Sequence, residues 1–523
     1  MKKFLSILLT LCFLMSVSGC STNEDEGDAV FSGIASVEFS ENDEIALYSY
    51  KTDAFCPILS DNKANNRMLG IVYDGLISLD DELLPLPELA ESWSVLENGN
   101  SWVINLREGV KWHDGSAFNA SDVVYTVNKI KEHEISIYQY NVSKISKISK
   151  VNGNSVKIDL SEPCSTFINL LYFPIIKNNS VGEDENAFQP IGTGAFRFED
   201  RKEGNIYYLV KNDDWWGGKI NNDIIEIKML PDKDTALYAF SSGSIDIAEA
   251  EGMDWGKFVD PSSASVVSVE TPIYNFIGIN HNKSILKMNE VRTAISQVID
   301  RQAIIDEVAM GYAKAVNAPV RTSWYVCKNK ELRYVRNTKA AQKTLLDNGW
   351  ELSKYGYGKK TDEGEQYITF ELLINDGNQV RENVAKIIEK NLEEFGIKIS
   401  IIKLPYDEYK ARILNGEYDL FVGSYLISPD LSFDFMLGSG NVFGYSDNEM
   451  TKVLNDIKRQ TENDMLQEKY SKFINLFEEQ NPIIGLYFED SVMTYSNRIK
   501  GDVIPSYFNW YRGIEKLYKG AVK

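Results

Sequence analysis

The side chains that most often carry out enzyme chemistry are sparse in this chain. Its three histidines, His113, His133 and His281, are too scattered to form a histidine-rich metal site. We find no G-x-x-x-x-G-K-[ST] phosphate loop, no G-x-S-x-G nucleophile elbow and no H-E-x-x-H zinc motif. The fragment His113-Asp114-Gly115 lies in KWHDGSAF, which is typical of a tight turn. The sequence therefore favours a binding protein over an enzyme and implies no cofactor.

The N-terminus predicts a different chemistry, the attachment of lipid. Two lysines precede an apolar run over 4–17, which is shorter than the roughly 20 residues that a membrane-spanning helix needs. The run ends in VSGC, which resembles the bacterial lipobox, whose cysteine receives lipid and becomes the first mature residue. We predict a lipoprotein signal peptide over 1–19, lipid on Cys20, an acidic tether over 20–39 and a location at the outer face of the cell membrane. The alternative is a plain secretory signal with a chance cysteine.

Composition limits the possible partners. The 523 residues carry a formal charge of −21, and this acidity argues against nucleic acid, whose phosphates require basic surfaces. Beyond the predicted anchor the mature chain has Cys56, Cys164 and Cys327. These three can form one disulfide at most, and buried free thiols are the favoured alternative.

The elements that must position a binding site alternate between strands and helices, which predicts α/β layers. One unit occurs twice, as IEIKMLPDKDTALYAFSSGSIDIA over 225–248 and as ISIIKLPYDEYKARILNGEYDLFV over 399–422. Each copy runs strand, Leu-Pro turn, short helix, glycine and strand. Two similar α/β lobes suggest a ligand cleft between them, outside the strand ends. The alternative is a chance recurrence of a common motif.

Several motifs in order then identify a family. They include YDGLISLDDELLPLPELAESW, INLREGVKWHDGSAFNASDVVYTV, PIGTGAFRF, NDDWWGGKINNDIIEIKML, NFIGINHNKSILKMNEVRTAISQVIDRQAII and GEYDLFVGSYLISPD. The chain resembles, over about 60–520, the family 5 extracellular solute-binding proteins, which are the oligopeptide, dipeptide and nickel binders of ABC importers.

The resemblance implies the type II periplasmic-binding-protein fold, with two α/β lobes, a hinge and an extra domain. Matching the motifs predicts the division of the chain: lobe I takes 40–75, 176–275 and 480–523, extra domain II takes 76–175, and lobe III takes 276–479.

The resemblance also implies ligand contacts in the loop over 423–430, GSYLISPD. In many peptide-binding relatives, an acid between a G-W pair and a proline in this loop takes the amino terminus of the ligand. Here Ser424 replaces the tryptophan, no acid precedes Pro429, and Tyr425 stands about where the acid would be. We therefore predict Asp430 as a substitute anchor, with a turn residue as the alternative, and Tyr425 as part of an aromatic wall.

Four further contacts follow from the same resemblance. Asn65 and Asn66 match a ligand-contact segment of lobe I, with helix capping as the alternative. Tyr138 and Tyr140 match a segment that reaches the cleft from extra domain II, with core packing as the alternative.

The predicted function is a membrane-anchored, monomeric solute receptor that delivers short peptides to the permease and ATPase of an ABC importer. A nickel chelate or an oligosaccharide is the alternative ligand, although nickel prefers histidine or a chelator and histidines are few. A surface-anchored hydrolase and a peptide sensor without transport are the alternative functions.

Overall fold

The computed structural model describes residues 44–50, 54–182, 188–250, 260–327, 336–362 and 364–520. The predicted signal peptide, the acidic tether and Cys20 lie outside these residues. The names lobe I, extra domain II and lobe III are kept below for the segments predicted from the sequence, and their boundaries stay a prediction.

Strands and helices alternate along the described chain. The strands are β1 (Ile45–Ser49), β2 (Ile77–Leu79), β3 (Pro85–Pro87), β4 (Ala90–Leu96), β5 (Ser101–Leu106), β6 (Ile145–Asn152), β7 (Ser155–Leu160), β8 (Phe196–Glu203), β9 (Ile206–Lys211), β10 (Ile224–Met229), β11 (Ile247–Ala250), β12 (Ala264–Ile279), β13 (Ala313–Ala315), β14 (Glu351–Ser353), β15 (Gly356–Thr361), β16 (Gly364–Tyr367), β17 (Thr369–Asn375), β18 (Lys398–Leu404), β19 (Leu420–Leu426), β20 (Ile484–Ser496), β21 (Ile499–Lys500) and β22 (Tyr518–Lys519). The α-helices are α1 (Lys63–Val72), α2 (Ala120–Glu132), α3 (Gln139–Ser143), α4 (Lys233–Ser241), α5 (Ser284–Lys287), α6 (Asn289–Val298), α7 (Arg301–Glu307), α8 (Thr338–Asp347), α9 (Gln379–Phe395), α10 (Tyr406–Leu414), α11 (Asp434–Leu437), α12 (Asn448–Arg459) and α13 (Asn463–Gln480). Short 3-10 turns lie at Glu97–Gly99, Phe167–Leu170, Tyr325–Cys327 and Ile514–Lys516.

Three larger sheets organise these elements. One has the order β1-β10-β9-β8, and a second, in extra domain II, has the order β4-β5-β7-β6. The third has seven strands in the order β11-β20-β12-β19-β17-β18, with β13 beside β20. In this third sheet β17 is parallel to both β18 and β19, and helices α9 and α10 make the crossovers. The layered α/β pattern predicted from the sequence is therefore present.

The repeated Leu-Pro unit is confirmed in both places. The first copy is β10-α4-β11 and the second is β18-α10-β19. Gly243 and Gly416 follow the two helices with φ of 74° and 71°, the left-handed conformation that glycine adopts without a steric cost. The two copies place similar strand ends in lobe I and in lobe III.

Local patterns in the sequence predict helices that begin at Asn119 and at Asn289, a helix over 379–395 and a strand pair over 101–112. Asn119 caps α2 in a capping box with Asp122, and α9 spans 379–395, as predicted. Two details differ. Met288, not Asn289, occupies the N-cap of α6, and the predicted strand pair over 101–112 forms only β5, because its second half turns away from the sheet.

The cores show how the parts are joined. One apolar core includes Ile45 and Leu47 of lobe I together with Trp102 and Ile104 of extra domain II. Lobe III has cores of its own, one of them around Phe473. Extra domain II and lobe I are therefore packed as one body by apolar contacts.

Two long strands connect this body to lobe III. On β12, Val269 belongs to the shared core and Tyr274 to a lobe III core. On β20, Phe488 packs into a lobe III core and Met493 into the shared core. Both strands therefore change bodies over a few residues, as the strands of a hinge do. No helix in the described part of the chain is both long and apolar enough to cross a membrane.

Candidate functional site

The carboxyl ends of β17, β18 and β19 form one edge of lobe III. Helix α9 begins just beyond β17, where Asn378 caps it by accepting a hydrogen bond from the backbone N–H of Arg381. Ligands of parallel α/β sheets bind outside such edges, which makes this edge the first place to look for a site.

Arg381 is the most informative residue of this edge. Its side chain donates from Nη1 to Asn375 Oδ1 at 2.6 Å and from Nη2 to Ser424 Oγ at 3.1 Å. The guanidinium lies 5.7 Å from the ring centre of Tyr409. Arg381 is only 9% exposed, yet no carboxylate of the described residues lies within ion-pair distance of it. A buried cation held only by neutral groups indicates a place for an anionic group of a ligand.

The facing edge, in lobe I, carries an ion-paired cluster. Arg67 of α1 donates to both carboxylate oxygens of Glu249 at 2.8 and 3.0 Å, and Lys63 donates to Glu249 at 2.9 Å. The Arg67 guanidinium also lies 3.7 Å from the ring centre of Trp510. Burial opposes ionisation of Glu249, but the two cations outweigh burial and hold its pKa below the ordinary value.

Glu489, where β20 changes bodies, interacts electrostatically with a tyrosine near each edge. Burial raises the pKa of the Tyr487 and Tyr507 hydroxyls, and the Glu489 carboxylate raises both further. Arg381 lowers the pKa of Tyr487, and Arg67 lowers that of Tyr507. We take the residues of both edges, together with Glu489, as the candidate site and call it the interlobe site. Its residues are Lys63, Arg67, Glu249, Asn375, Arg381, Ser424, Tyr425 and Glu489.

Of the residues predicted from the sequence, Tyr425 lies at this site. It follows Ser424 on β19, and its ring stacks on that of Phe435 with centroids 4.7 Å apart and planes 4° from parallel. The side chain is partly exposed at the edge of lobe III. Its role in an aromatic wall that contacts the ligand stays a prediction.

Asp430 lies instead at the contact between lobe III and extra domain II. Its carboxylate is fully buried and pairs with Lys144 Nζ at 2.7 Å. The Tyr140 hydroxyl donates to the two carboxylate oxygens at 3.2 and 3.3 Å. In this arrangement a ligand ammonium would have to replace Lys144 before it could reach Asp430.

The two tyrosines of extra domain II have different surroundings. Tyr138 is 8% exposed and packs against Tyr172 and Phe173, with centroid distances of 6.1 Å to each. Tyr140 reaches Asp430, as described above. Tyr138 is thus placed in the core, and Tyr140 in the contact between two domains.

The predicted asparagines of α1 hold the preceding loop. Asn65 is fully buried and donates from Nδ2 to Ala54 O at 2.7 Å and to Ser60 Oγ at 2.9 Å. Asn66 donates to Ser60 O at 2.9 Å. These bonds fix the start of α1, so the asparagines place the neighbouring Arg67 at the interlobe site.

Sequence reasoning did not single out Arg67, Glu249, Arg381 or Glu489. A signal for Arg381 was present, because a cation in the first turn of a helix runs against the helix dipole and therefore calls for another reason. Glu249 and Glu489 carried no such signal, because acids are abundant throughout the chain.

The histidines are placed as structural residues. Gly192 N–H donates to His113 Nδ1 at 3.1 Å, and His113 Nε2 lies 3.0 Å from Gly194 O. Burial lowers the pKa of both His113 and His281 to about 4. The described residues contain no group of three or more histidine, cysteine or acidic side chains arranged to hold a metal ion.

Known proteins resemble this chain over most of its length. A family model described as bacterial extracellular solute-binding proteins, family 5 Middle, matches residues 85–444. The oligopeptide-binding protein AppA of Bacillus subtilis is 25% identical over 476 aligned residues, covering 86% of each chain. The solved structure of B. subtilis AppA in complex with a nonapeptide has a TM-score of 0.62 at 22% identity, and that of a nickel ABC transporter protein from Bacillus halodurans has a TM-score of 0.78 at 22% identity. Each comparison covers 91% of this chain and 99% of the other. The predicted α/β fold is confirmed by these structures.

Proposed function

Since the chain belongs to family 5 of the bacterial extracellular solute-binding proteins, we propose that it captures a short peptide or a similar small solute in the interlobe site and delivers it to an ABC importer. The relative AppA is named for oligopeptide binding, which supports a peptide as the ligand. The receptor has no catalytic role in this proposal, and it acts as a monomer anchored to the membrane by lipid on Cys20.

The single observation that carries the proposal is the buried Arg381 guanidinium, which donates hydrogen bonds to the neutral side chains of Asn375 and Ser424. A ligand carboxylate would supply the missing negative charge in a bidentate contact. Tyr425 would flank the ligand from the same edge. Of the two acids of the site, Glu489 would take a ligand ammonium, because Glu249 is already paired with Arg67 and Lys63.

The experiment begins with the ligand itself. Native mass spectrometry of the purified chain should identify a co-purified peptide, and calorimetry should then compare its synthetic free-acid and C-amidated forms. Removing one partner of a buried charge pair typically costs about 2–5 kcal/mol, so amidation should weaken binding at least about tenfold. Arg381→Gln should weaken binding of the free acid by a similar factor and abolish the difference between the two forms.

A matched control is available in the same lobe. Arg412 is a partly exposed arginine that pairs with Glu371 at 3.4 Å. Arg412→Gln should leave both affinities unchanged. Equal binding of the acid and the amide by the unmodified chain would contradict the carboxylate contact.

The prediction for Asp430 is tested in the same assay. If Asp430 takes the ligand amine, N-acetylation should weaken binding about tenfold and Asp430→Asn should remove that difference. If Asp430 pairs only with Lys144, acetylation of the peptide will leave its affinity unchanged, and Asp430→Asn will lower the stability of the protein instead.

The alternative ligands have distinct outcomes. A nickel chelate, suggested by the B. halodurans relative, would appear as bound metal in the native mass spectrum. An oligosaccharide would appear as a bound neutral molecule, and Arg381→Gln would leave its affinity unchanged. Steady release of product from peptides or glycosides would favour the hydrolase. Peptide binding without any effect of the chain on peptide uptake would favour the sensor.

A further inference from the structure

The pairing of β12 with β20 is interrupted where both strands change bodies. Glu270 faces Asp490 and Tyr274 faces Phe488, so residues 271–273 stand opposite Glu489 alone. On its other side β20 also changes partners, from β13 at 487–489 to β11 at 492–495. The ladder therefore lacks its regular hydrogen bonds at the point where the two bodies would bend.

The side chain of Arg321 lies where the pairing of β12 with β20 is interrupted, and we call this interruption the gap. Nε donates to Thr271 O of β12 at 2.8 Å, and Nη2 donates to Glu489 O of β20 at 2.7 Å. Nη2 also donates to Asp490 Oδ1 at 2.6 Å. One guanidinium thus binds a carbonyl on each strand and a carboxylate beyond the gap.

Arg321 also connects lobe III to the other body. Its chain neighbours Val320 and Trp324 belong to a lobe III core, so the residue is anchored in lobe III. Its charged partners, Asp490 at 2.6 Å and Glu270 at 3.6 Å, lie on the other side of the gap, and the Arg321 side chain is only 2% exposed. A buried planar fork with several fixed contacts resists bending more than a single flexible ammonium would.

We propose that Arg321 is a positioning residue for ligand binding: it sets the angle between lobe III and the body formed by lobe I and extra domain II. By holding the backbone oxygen of Glu489, it also fixes where the Glu489 carboxylate stands in the interlobe site. This inference rests on the proposed function for its consequence, which is ligand affinity. The hinge setting itself exists without ligand and is measured separately.

A second buried arginine provides the control. Arg292 is 6% exposed, and its Nε and Nη2 donate to Asn481 O at 3.0 Å and to Gln480 O at 2.7 Å. Like Arg321 it binds backbone carbonyls, but it lies within lobe III and away from the gap. Arg292→Lys and Arg321→Lys should both lower thermal stability, because each loses part of a fixed hydrogen-bonded fork.

The test measures the angle between the bodies directly. Spin labels are placed at Asp213→Cys and Lys343→Cys, whose side chains are 85% and 75% exposed, in a full chain carrying Cys20→Ser. Double electron–electron resonance then reports the distance distribution of the ligand-free chain. Arg321→Lys should shift or broaden this distribution, and Arg292→Lys should reproduce that of the parent. An unchanged distribution in Arg321→Lys, or equal broadening in both variants, overturns the proposal.

The consequence for binding is measured with the synthetic peptide Ala-Ala-Ala and with the peptide identified by native mass spectrometry. Arg321→Lys should raise the dissociation constant at least about fivefold, because a less favourable hinge setting lowers the population of the binding-competent state. Arg292→Lys should leave it within about twofold. An altered distribution with unchanged peptide affinity would overturn the positioning role while leaving the receptor proposal intact. If no peptide binds the parent chain, the receptor proposal fails, and the distance measurement still decides whether Arg321 sets the hinge.

Discussion

Extra domain II meets lobe I through an apolar core and meets lobe III through a contact that is largely polar, apart from Leu83, which packs into a lobe III core. On the first side Trp102 and Phe173 share a continuous core with residues of β1. On the second side Lys144 pairs with Asp430, and Thr166 Oγ1 donates to Asp430 O at 2.6 Å. The Tyr470 hydroxyl nearby is buried without a hydrogen-bond partner among the described residues.

Of these two contacts, the polar one with lobe III is better suited to open. Separating the apolar core exposes hydrocarbon to water, and nothing offsets that cost. Separating the polar contact allows water to solvate Lys144 and Asp430, which offsets much of the lost pairing. We therefore expect lobe III to move away while extra domain II stays with lobe I. Four measurements test whether the two contacts of extra domain II differ in this way, in order of decreasing effect.

Substitutions in the apolar core shared by extra domain II and lobe I should cause the largest loss of stability. Phe173→Ala deletes a fully buried ring from the shared core and should lower the free energy of unfolding by about 3–5 kcal/mol. Urea unfolding measures the change. A loss below about 1 kcal/mol would show that this core does not hold the two domains together.

The polar side should respond less, because it can open. Lys144→Met leaves the buried Asp430 carboxylate without its cation. In a closed site this typically costs about 3–5 kcal/mol, and we expect about 1–3 kcal/mol in the same urea experiment because water can reach Asp430 when the contact opens. The double variant Lys144→Met with Asp430→Leu removes both charges and should recover much of the loss. Equal losses in the single and double variants would mean that packing, and not charge, accounts for the contact.

The apolar side also contains two carboxyl groups that should make its stability depend on pH. Burial raises the pKa of Asp74 to about 6 and that of Glu88 to about 8. The folded state therefore retains protons that the unfolded state has already released, so stability should fall as pH rises from about 5 to about 9, by roughly 1 kcal/mol or more.

Thermal unfolding across this pH range measures the effect, and Glu88→Gln should flatten the profile. A profile that rises between pH 5 and 9 would contradict the assignment. Lys144 provides the contrast: burial lowers its pKa, but Asp430, Cys164 and Tyr140 together outweigh burial and raise the pKa above its ordinary value, so Lys144 stays charged across this pH range.

The partly exposed ion pairs at the rim of the polar contact should contribute least to stability. Lys458 lies 3.3 Å from Glu162 of extra domain II and 2.7 Å from Asp434, and it is partly exposed. Exposed ion pairs contribute roughly 0.2–1 kcal/mol, so Lys458→Ala should have a small effect that decreases further in salt. A loss as large as that of Lys144→Met would erase the distinction between the buried pair and its rim.

The sequence by itself determined the family, the α/β layers and most of the helix ends. The motifs in order were specific enough to identify the family, and local signals such as the capping box at Asn119 and the glycine after the repeated helix act over a few residues. These features depend on neighbours in the chain, which a sequence displays directly. The resemblance assigned Tyr425 to a loop over 423–430, whereas the structure places it on the last residues of β19.

Only the tertiary structure decided which charges meet. Asp430 lies 286 residues from its partner Lys144, and Arg67 lies 182 residues from Glu249. Nothing local distinguishes such acids from the others among 76 acidic residues. Arg321 likewise shows its role only when two strands from distant parts of the chain stop pairing beside it. The partner of a charge is chosen by packing between distant segments, and for that reason the sequence predicted the layers of this protein but not the contents of its interlobe site.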